Sequence, residues 1–174
     1  MAKVLIVSDT HGNFSNLIEA IKKEKPFDLL IHCGDLGGYE GELVKLADTP
    51  VYCVGGNCDF MYGLSPFVIF DFQGHKIFVA HGHSYHVDYG LQDLYYRAKE
   101  LGADLAFFGH THVPTIKDYD DVIIANPGSI SRPRQTGNEP TYMIMDIFDQ
   151  KKPNIVLKKV HNLNRFVVKY INLV

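Results

Sequence analysis

Lys3-Val4-Leu5-Ile6-Val7-Ser8-Asp9-Thr10-His11-Gly12 decides how this chain is read. The apolar part is too short for a helix, is rich in β-branched residues, and runs directly into polar, turn-forming ones. A strand buried on both faces reads this way, as a continuous apolar run rather than an alternation. Four further segments repeat the pattern. Leu29-Leu30-Ile31-His32-Cys33 meets Gly34-Asp35, and Val51-Tyr52-Cys53-Val54 meets Gly55-Gly56-Asn57-Cys58-Asp59. Ile77-Phe78-Val79-Ala80 meets His81-Gly82-His83, and Leu105-Ala106-Phe107-Phe108 meets Gly109-His110-Thr111-His112.

Between the first runs the periodicity changes. Leu17, Ile18, Ala20 and Ile21 share a helical face, which predicts a helix over about 14–25, capped by Asn13 or Ser15 and stopped by Pro26. A short helix near 41–48 precedes the third run. Helical crossovers between short buried strands imply a parallel sheet. Further on, 67–72 and 75–80 flank a Gln73-Gly74 turn and predict a hairpin. A helix over about 90–101 ends at Gly102, and strands follow near 104–108, 115–119, 122–126, 141–148 and 154–160. The simplest architecture is α/β, with two sheets packed face to face and helices outside. The 174 residues are read as a single domain, 1–174.

Composition narrows the function classes. A net charge of -3 argues against a bulk nucleic-acid binder, which would carry a basic face. No apolar stretch approaches the length of a membrane span. The chain enters a strand at once, without a signal-peptide pattern, so the expected address is the cytoplasm. Cys33, Cys53 and Cys58 are odd in number and form no C-x-x-C pair, so reduced thiols are expected. The tail Arg165–Val174 is apolar for a terminus and would cover either the core or a neighbouring subunit in a homo-oligomer.

Ligands in layered α/β sheets bind beyond the carboxyl ends of strands. Here those ends offer Asp9, His11, Asp35, Asn57, His81, His110 and His112, a set able to hold two divalent metal ions. Asp9 and His11, two residues apart, would share a face if the chain stays extended, although D-x-H-G also suits a surface turn. Asp35 either bridges two ions through its two oxygens or caps a turn. Asn57 either ligates through its carbonyl oxygen or sits in a Gly-Gly-Asn turn, with Asp59 orienting a ligand or the Cys58 thiol. The two H-x-H pairs are harder to explain as packing. His83, Tyr85 and His86 read as polar loop residues, with His86 exposed. His32 lies beside the site, whereas His75 and His161 are expected to be structural or exposed.

Taken in order, D-x-H, G-D, G-N-x-D, H-G-H and G-H-T-H resemble the calcineurin-like metallophosphoesterases. The likeness is greatest to their small single-domain bacterial and archaeal phosphodiesterase branch, and it covers roughly residues 3–160. The resemblance implies a four-layer α/β/β/α sandwich of two mixed sheets flanked by helices. By position it also implies that Asp9, His11, Asp35 and His112 hold one ion. Asp35, Asn57, His81 and His110 would hold the other, with Asp35 bridging. The ions would be Mn, Ni, Zn or Fe, and the reaction hydrolysis of a small phosphodiester by a hydroxide the ions activate.

The chain departs from many relatives at Cys58, where they carry a histidine thought to protonate the leaving group. The small branch shares this cysteine. An ordinary thiol is a weak substitute for an imidazole acid, which leaves His83 as another donor. Asn126-Pro127-Gly128-Ser129 also resembles a family motif. Ser129, Arg132 and Arg134 are candidates to hold the substrate phosphate, the alternative being a solvated loop. A eukaryotic retromer subunit resembles the same branch and serves as a protein-interaction scaffold with a degraded metal site. A metal-binding scaffold is therefore the second reading, and a nuclease the third, disfavoured by the missing basic face.

Overall fold

The computed structural model describes residues 1–148 and 151–161, and the tail Arg165–Val174 lies outside them. In chain order the elements are β1 (Ala2–Val7), α1 (Ser15–Glu24), β2 (Leu29–His32), α2 (Glu40–Ala47), β3 (Val51–Cys53), β4 (Phe67–Phe72) and β5 (His75–Ala80). A single 3-10 turn (His83–Tyr85) follows, then α3 (Gln92–Glu100), β6 (Leu105–Phe107), β7 (Thr115–Asp118), β8 (Ile123–Asn126), β9 (Thr141–Ile147) and β10 (Asn154–Lys159).

Side-chain parity along the strands builds the layers. In β1, Val4 and Ile6 join the cluster between the sheets, while Leu5 and Val7 pack under α1 and α2 with Leu17, Ile21 and Leu43. In β5, Ile77 and Val79 meet that same inter-sheet cluster, and Phe78 and Ala80 turn the other way onto Leu94 and Ala98 of α3. Successive residues of a strand point to opposite faces, so each apolar run serves two interfaces. The result is the α/β/β/α sandwich expected from the sequence. Full burial of each Val, Leu or Ile contributes about 2 kcal/mol, which is why uninterrupted apolar runs are needed here.

One sheet has the order β10-β9-β1-β2-β3, the other β4-β5-β6-β8-β7. β1, β2 and β3 are parallel, as are β5, β6 and β8, while β9, β10, β4 and β7 pair antiparallel. Both sheets are therefore mixed. The register Val7↔His32 brings the ends of β1 and β2 level, and Val79↔Phe107 does the same for β5 and β6. The candidate residues all follow these parallel strands. No helix among the described residues is long and apolar enough to cross a membrane.

The cap of α1 differs in detail from expectation. Phe14 occupies the cap position without a side-chain bond, and Asn13 Oδ1 instead accepts from Ser15 N at 3.1 Å. Gly102 does end α3 in a left-handed conformation, with φ +69° and its N–H on Lys99 O.

Glu24, at the end of α1, is buried and ties the helix to β1, β9 and β10. Tyr142 Oη donates to Oε1 at 2.7 Å, and Lys158 Nζ donates at 2.8 Å and 3.0 Å. Lys3 Nζ lies 3.0 Å from Oε2. Burial pushes this carboxyl up, but the bonds from Lys158, Tyr142 and Lys3 outweigh burial, so its pKa falls below the ordinary 4.5. A depressed carboxyl stabilises the fold above its unfolded pKa, and that contribution is lost as pH falls through the folded value. Replacing Glu24 by Ala should lower the unfolding free energy by about 2–4 kcal/mol at pH 7. In urea titrations the gap from the unmodified chain should shrink as pH drops below about 4.5. Equal midpoints at pH 7 would refute the role given to this clamp.

Candidate metal centre

Asp9 and His11 do not share a face through extended chain, as their spacing suggested. β1 ends at Val7, and both residues take left-handed backbone, with φ 57° and 48°. Asp35 (53°), His110 (67°) and His112 (60°) do the same. A left-handed conformation costs a residue with a Cβ about 1 kcal/mol, so five donors are held in strained turns by their surroundings. The restraints are visible. Asp9 N, His11 N and Gly12 N donate to Gly34 O, Asp35 O and Leu36 O at 3.0, 2.8 and 2.9 Å, zipping two loops together. Gly109 lets the third loop approach, because a Cβ there would collide with Ser8 Oγ and Asp9 Oδ2.

All seven candidate donors meet at one end of the sandwich. Ligand atoms of Asp9, His11, Asp35 and His112 lie within 4.8 Å of one another. His81 Nε2 stands 3.4 Å from Asp35 Oδ2 and 3.2 Å from Asn57 Oδ1, and His110 Nδ1 stands 3.0 Å from that same oxygen. Asp35 thus lies between two groups, with His11 Nε2 3.7 Å from Oδ2 on the other side.

Whether these residues fit metal ions is tested by Asp9. It is completely buried, and neither carboxylate oxygen accepts a hydrogen bond among the described residues. His112 Nε2 does come within 3.1 Å of Oδ1. His112 Nδ1 donates to Arg132 O at 2.6 Å, which turns Nε2 toward the carboxylate. His81 is oriented likewise, its Nδ1 donating to Cys33 O at 2.8 Å and its Nε2 turned inward. Backbone carbonyls holding the outer nitrogen are how metal-binding histidines are fixed. A buried carboxylate that accepts no hydrogen bond, with two imidazole Nε2 atoms turned into the same space, suits a cation. The donor set fits.

Burial pushes His81 down, but Asp35 and Asp9 outweigh it and raise its pKa, so the two carboxylates favour a positive charge at this position. Burial pushes Asp35 up, but His81 and the Cys58 amide outweigh it and hold this carboxyl well below the usual range. Burial lowers His11, leaving a neutral donor.

The other candidates divide. Asp59 is buried, and its carboxylate accepts from Leu36 N (2.9 Å), Gly37 N (2.8 Å) and Gly56 N (3.0 Å). It fastens the loop carrying Asn57 to the loop carrying Asp35, rather than orienting the thiol. Cys58 is exposed at the rim, with its N–H on Asp35 Oδ1 at 2.8 Å. Partial burial, then Asp35, push its thiol up to about 11. His83 is exposed, its ring 5.5 Å from that of His81 and 6.0 Å from that of His110. Ser129 is a correction: it is fully buried, donates to Asp9 O at 2.9 Å and accepts from Arg132 N at 2.7 Å, so it faces inward and cannot meet a substrate phosphate. Arg132 is exposed beside the centre, and its charge acts on His11 and Cys58. Arg134 is exposed, and its backbone N–H donates to His112 O.

Among the remaining histidines, His32 is buried, accepts from Gly34 N and contacts Thr10 Oγ1 at 3.1 Å, bracing the residue between Asp9 and His11. His75 is buried against Asp104, while His86 and His161 are exposed. Two residues had not been singled out for the roles they take. Asn126 Nδ2 donates to Gly109 O at 2.7 Å and steadies the G-H-T-H loop. Asp88 Oδ2 lies 2.9 Å from His110 Nε2. No spacing rule marks an acid in a turn-rich loop after H-G-H.

Comparison with known proteins places this geometry. Residues 2–150 match the model of the calcineurin-like phosphoesterase superfamily domain. A probable metallophosphoesterase of Bacillus subtilis is 39% identical over 145 residues, 83% of each chain. A phosphodiesterase of Methanocaldococcus jannaschii is 28% identical, covering 90% of this chain and 99% of that one. Among solved structures, a protein of Streptococcus pneumoniae described as a predicted phosphoesterase superposes with a TM-score of 0.79 at 29% identity, over 91% of this chain and 90% of that one. Vps29 of Entamoeba histolytica, solved with zinc, shares the fold at 22% identity and a TM-score of 0.76, over 93% and 94% of the two chains.

Removing the Asp59 carboxylate would strand three loop amides. Asp59→Ala should destabilise the chain by about 3 kcal/mol in chemical denaturation and weaken metal binding, although it touches no donor side chain. Unchanged stability together with unchanged affinity would show that the two loops hold themselves.

Proposed function

This chain belongs to the calcineurin-like phosphoesterase superfamily and is a metal-dependent phosphoesterase, and from that premise we propose that it is a phosphodiesterase working with two divalent ions on a small phosphodiester. The observation that carries this reading is the position of Asp35, whose Oδ2 faces His11 at 3.7 Å and His81 at 3.4 Å. Asp9, His11, Asp35 and His112 would hold one ion, and Asp35, Asn57, His81 and His110 the other. When bound, such ions lower the pKa of water and offset phosphate charge. Mixed oxygen and nitrogen donors suit Mn, Ni, Zn or Fe.

The residues around the centre shape the choice of substrate. Arg132 supplies a cationic, bidentate-capable group at the mouth, suited to a phosphate oxygen pair. Cys58 holds its proton too tightly, at about 11, to release it at neutral pH. His83 is pushed down by burial, then by His81 and His110, so it is neutral and equally unsuited to donate. The phosphodiesterase name of the Methanocaldococcus relative supports a phosphodiester as the substrate. Three free thiols fit a reducing compartment such as the cytoplasm.

Hydrolysis of bis-p-nitrophenyl phosphate, measured beside p-nitrophenyl phosphate with Mn, Ni, Zn or Mg, tests this directly. Turnover of the diester should require an added ion and fall more than about 100-fold in His81→Ala. Ion binding without hydrolysis under any of these conditions would sink the reading and favour a scaffold; cleavage of oligonucleotides would favour a nuclease.

Arg132→Ala should raise KM for the diester about tenfold, equivalent to about 1.4 kcal/mol, with kcat nearly unchanged. A fall in kcat alone would place Arg132 in the chemical step instead.

A further inference from the structure

Three of the histidines in the centre are fixed in different ways. His81 and His112 are each held at Nδ1 by a backbone carbonyl, Cys33 O and Arg132 O, and present Nε2 inward. His110 is turned the other way. Its Nδ1 faces Asn57 Oδ1 at 3.0 Å, and its Nε2 meets a side chain, Asp88 Oδ2, at 2.9 Å. An ionised carboxylate only accepts, so the proton of this pair belongs on Nε2 and the lone pair on Nδ1.

We propose that Asp88 is a positioning residue for the second ion: by holding Nε2–H of His110 it sets the ring's tautomer and aims Nδ1 at the space shared with Asn57 and His81. The inference rests on the two-ion reading above. His110 needs such a partner more than its neighbours do. Its backbone is left-handed at φ 67°, and its side chain is 22% exposed against 0% for His81 and 4% for His112. The rings of His81 at 5.2 Å and His83 at 6.0 Å pack beside it without accepting from Nε2. Asp88 comes from the loop after the 3-10 turn, where Tyr89 N donates to His86 O at 2.9 Å and closes the chain around it. A charged acceptor also makes the imidazole a better donor to a cation. At His110, and at neither His81 nor His112, the ring is held by a half-exposed acid in a surface loop rather than by a backbone carbonyl.

The rival view is an ordinary surface ion pair, which contributes little. Calorimetric titration of the ion-stripped protein with Mn separates the two, with the spin-coupled signal of a Mn pair as an independent readout. The unmodified chain should bind two ions. Asp88→Ala should weaken the second by about 10–100-fold, abolish the coupled signal at low Mn, and leave the first ion and the urea midpoint unchanged. Asp88→Asn, which keeps an oxygen acceptor without its charge, should recover part of the loss. Two ions bound by Asp88→Ala with unaltered affinities, or an equal weakening of both, would overturn the proposal. A single ion in the unmodified chain would overturn the two-ion reading itself, and the role of Asp88 with it.

Discussion

A carboxylate buried without a donor is the constraint on which the rest of this structure depends. Asp9 lies just past the end of the central strand of its sheet, shielded from water, and neither of its carboxylate oxygens accepts a hydrogen bond among the described residues. Isolated burial of a charge is among the most unfavourable arrangements a fold can contain. The surrounding loops are not arranged to relieve it with protein donors. They bring further acceptors toward it, and Ser129, which could have turned to the carboxylate, donates to the Asp9 backbone carbonyl instead. Such a site is built for positive charge from outside the chain.

The sandwich explains how so many acceptors reach one place. Parallel strands in both sheets finish at the same end of the molecule, so loops distant in sequence become neighbours in space. The His81–Cys33 bond joins one sheet to the other directly beneath the centre. Parity along the strands is equally necessary, because each apolar run has to fill both the seam between the sheets and the helix-facing side. A chain that alternated polar and apolar residues could not bury both sheets this way.

Much of this was legible in the residues. Val4–Val7, Ile77–Ala80 and Leu105–Phe108 read as buried strands, and the clusters of Asp, Asn and His after them read as donors from their position alone. What escaped was local conformation. The i, i+2 spacing of Asp9 and His11 suggested extended chain, but the backbone turns left-handed at both, and composition alone does not distinguish the two when Thr and Gly are adjacent. Ser129 reads as a phosphate contact because Asn126-Pro127-Gly128-Ser129 resembles a family motif, whereas its hydroxyl faces inward. Asp59 reads as orienting a ligand or the Cys58 thiol, whereas its carboxylate accepts from the amides of Leu36, Gly37 and Gly56. Asp88 carries no pattern at all, since its meaning arises from a histidine more than twenty residues away.

The left-handed backbone at five of the seven donors has an evolutionary reading. At each of those positions glycine would relax the turn while deleting the side chain, so selection acting on stability alone would erase the centre one residue at a time. A chain that drifted toward robustness would keep the sandwich and lose its acids and imidazoles. This one retains the full complement at positions where each member strains the backbone that carries it. The strain therefore sets a stability cost on every one of these five side chains, borne by the dihedral angles rather than by any single contact.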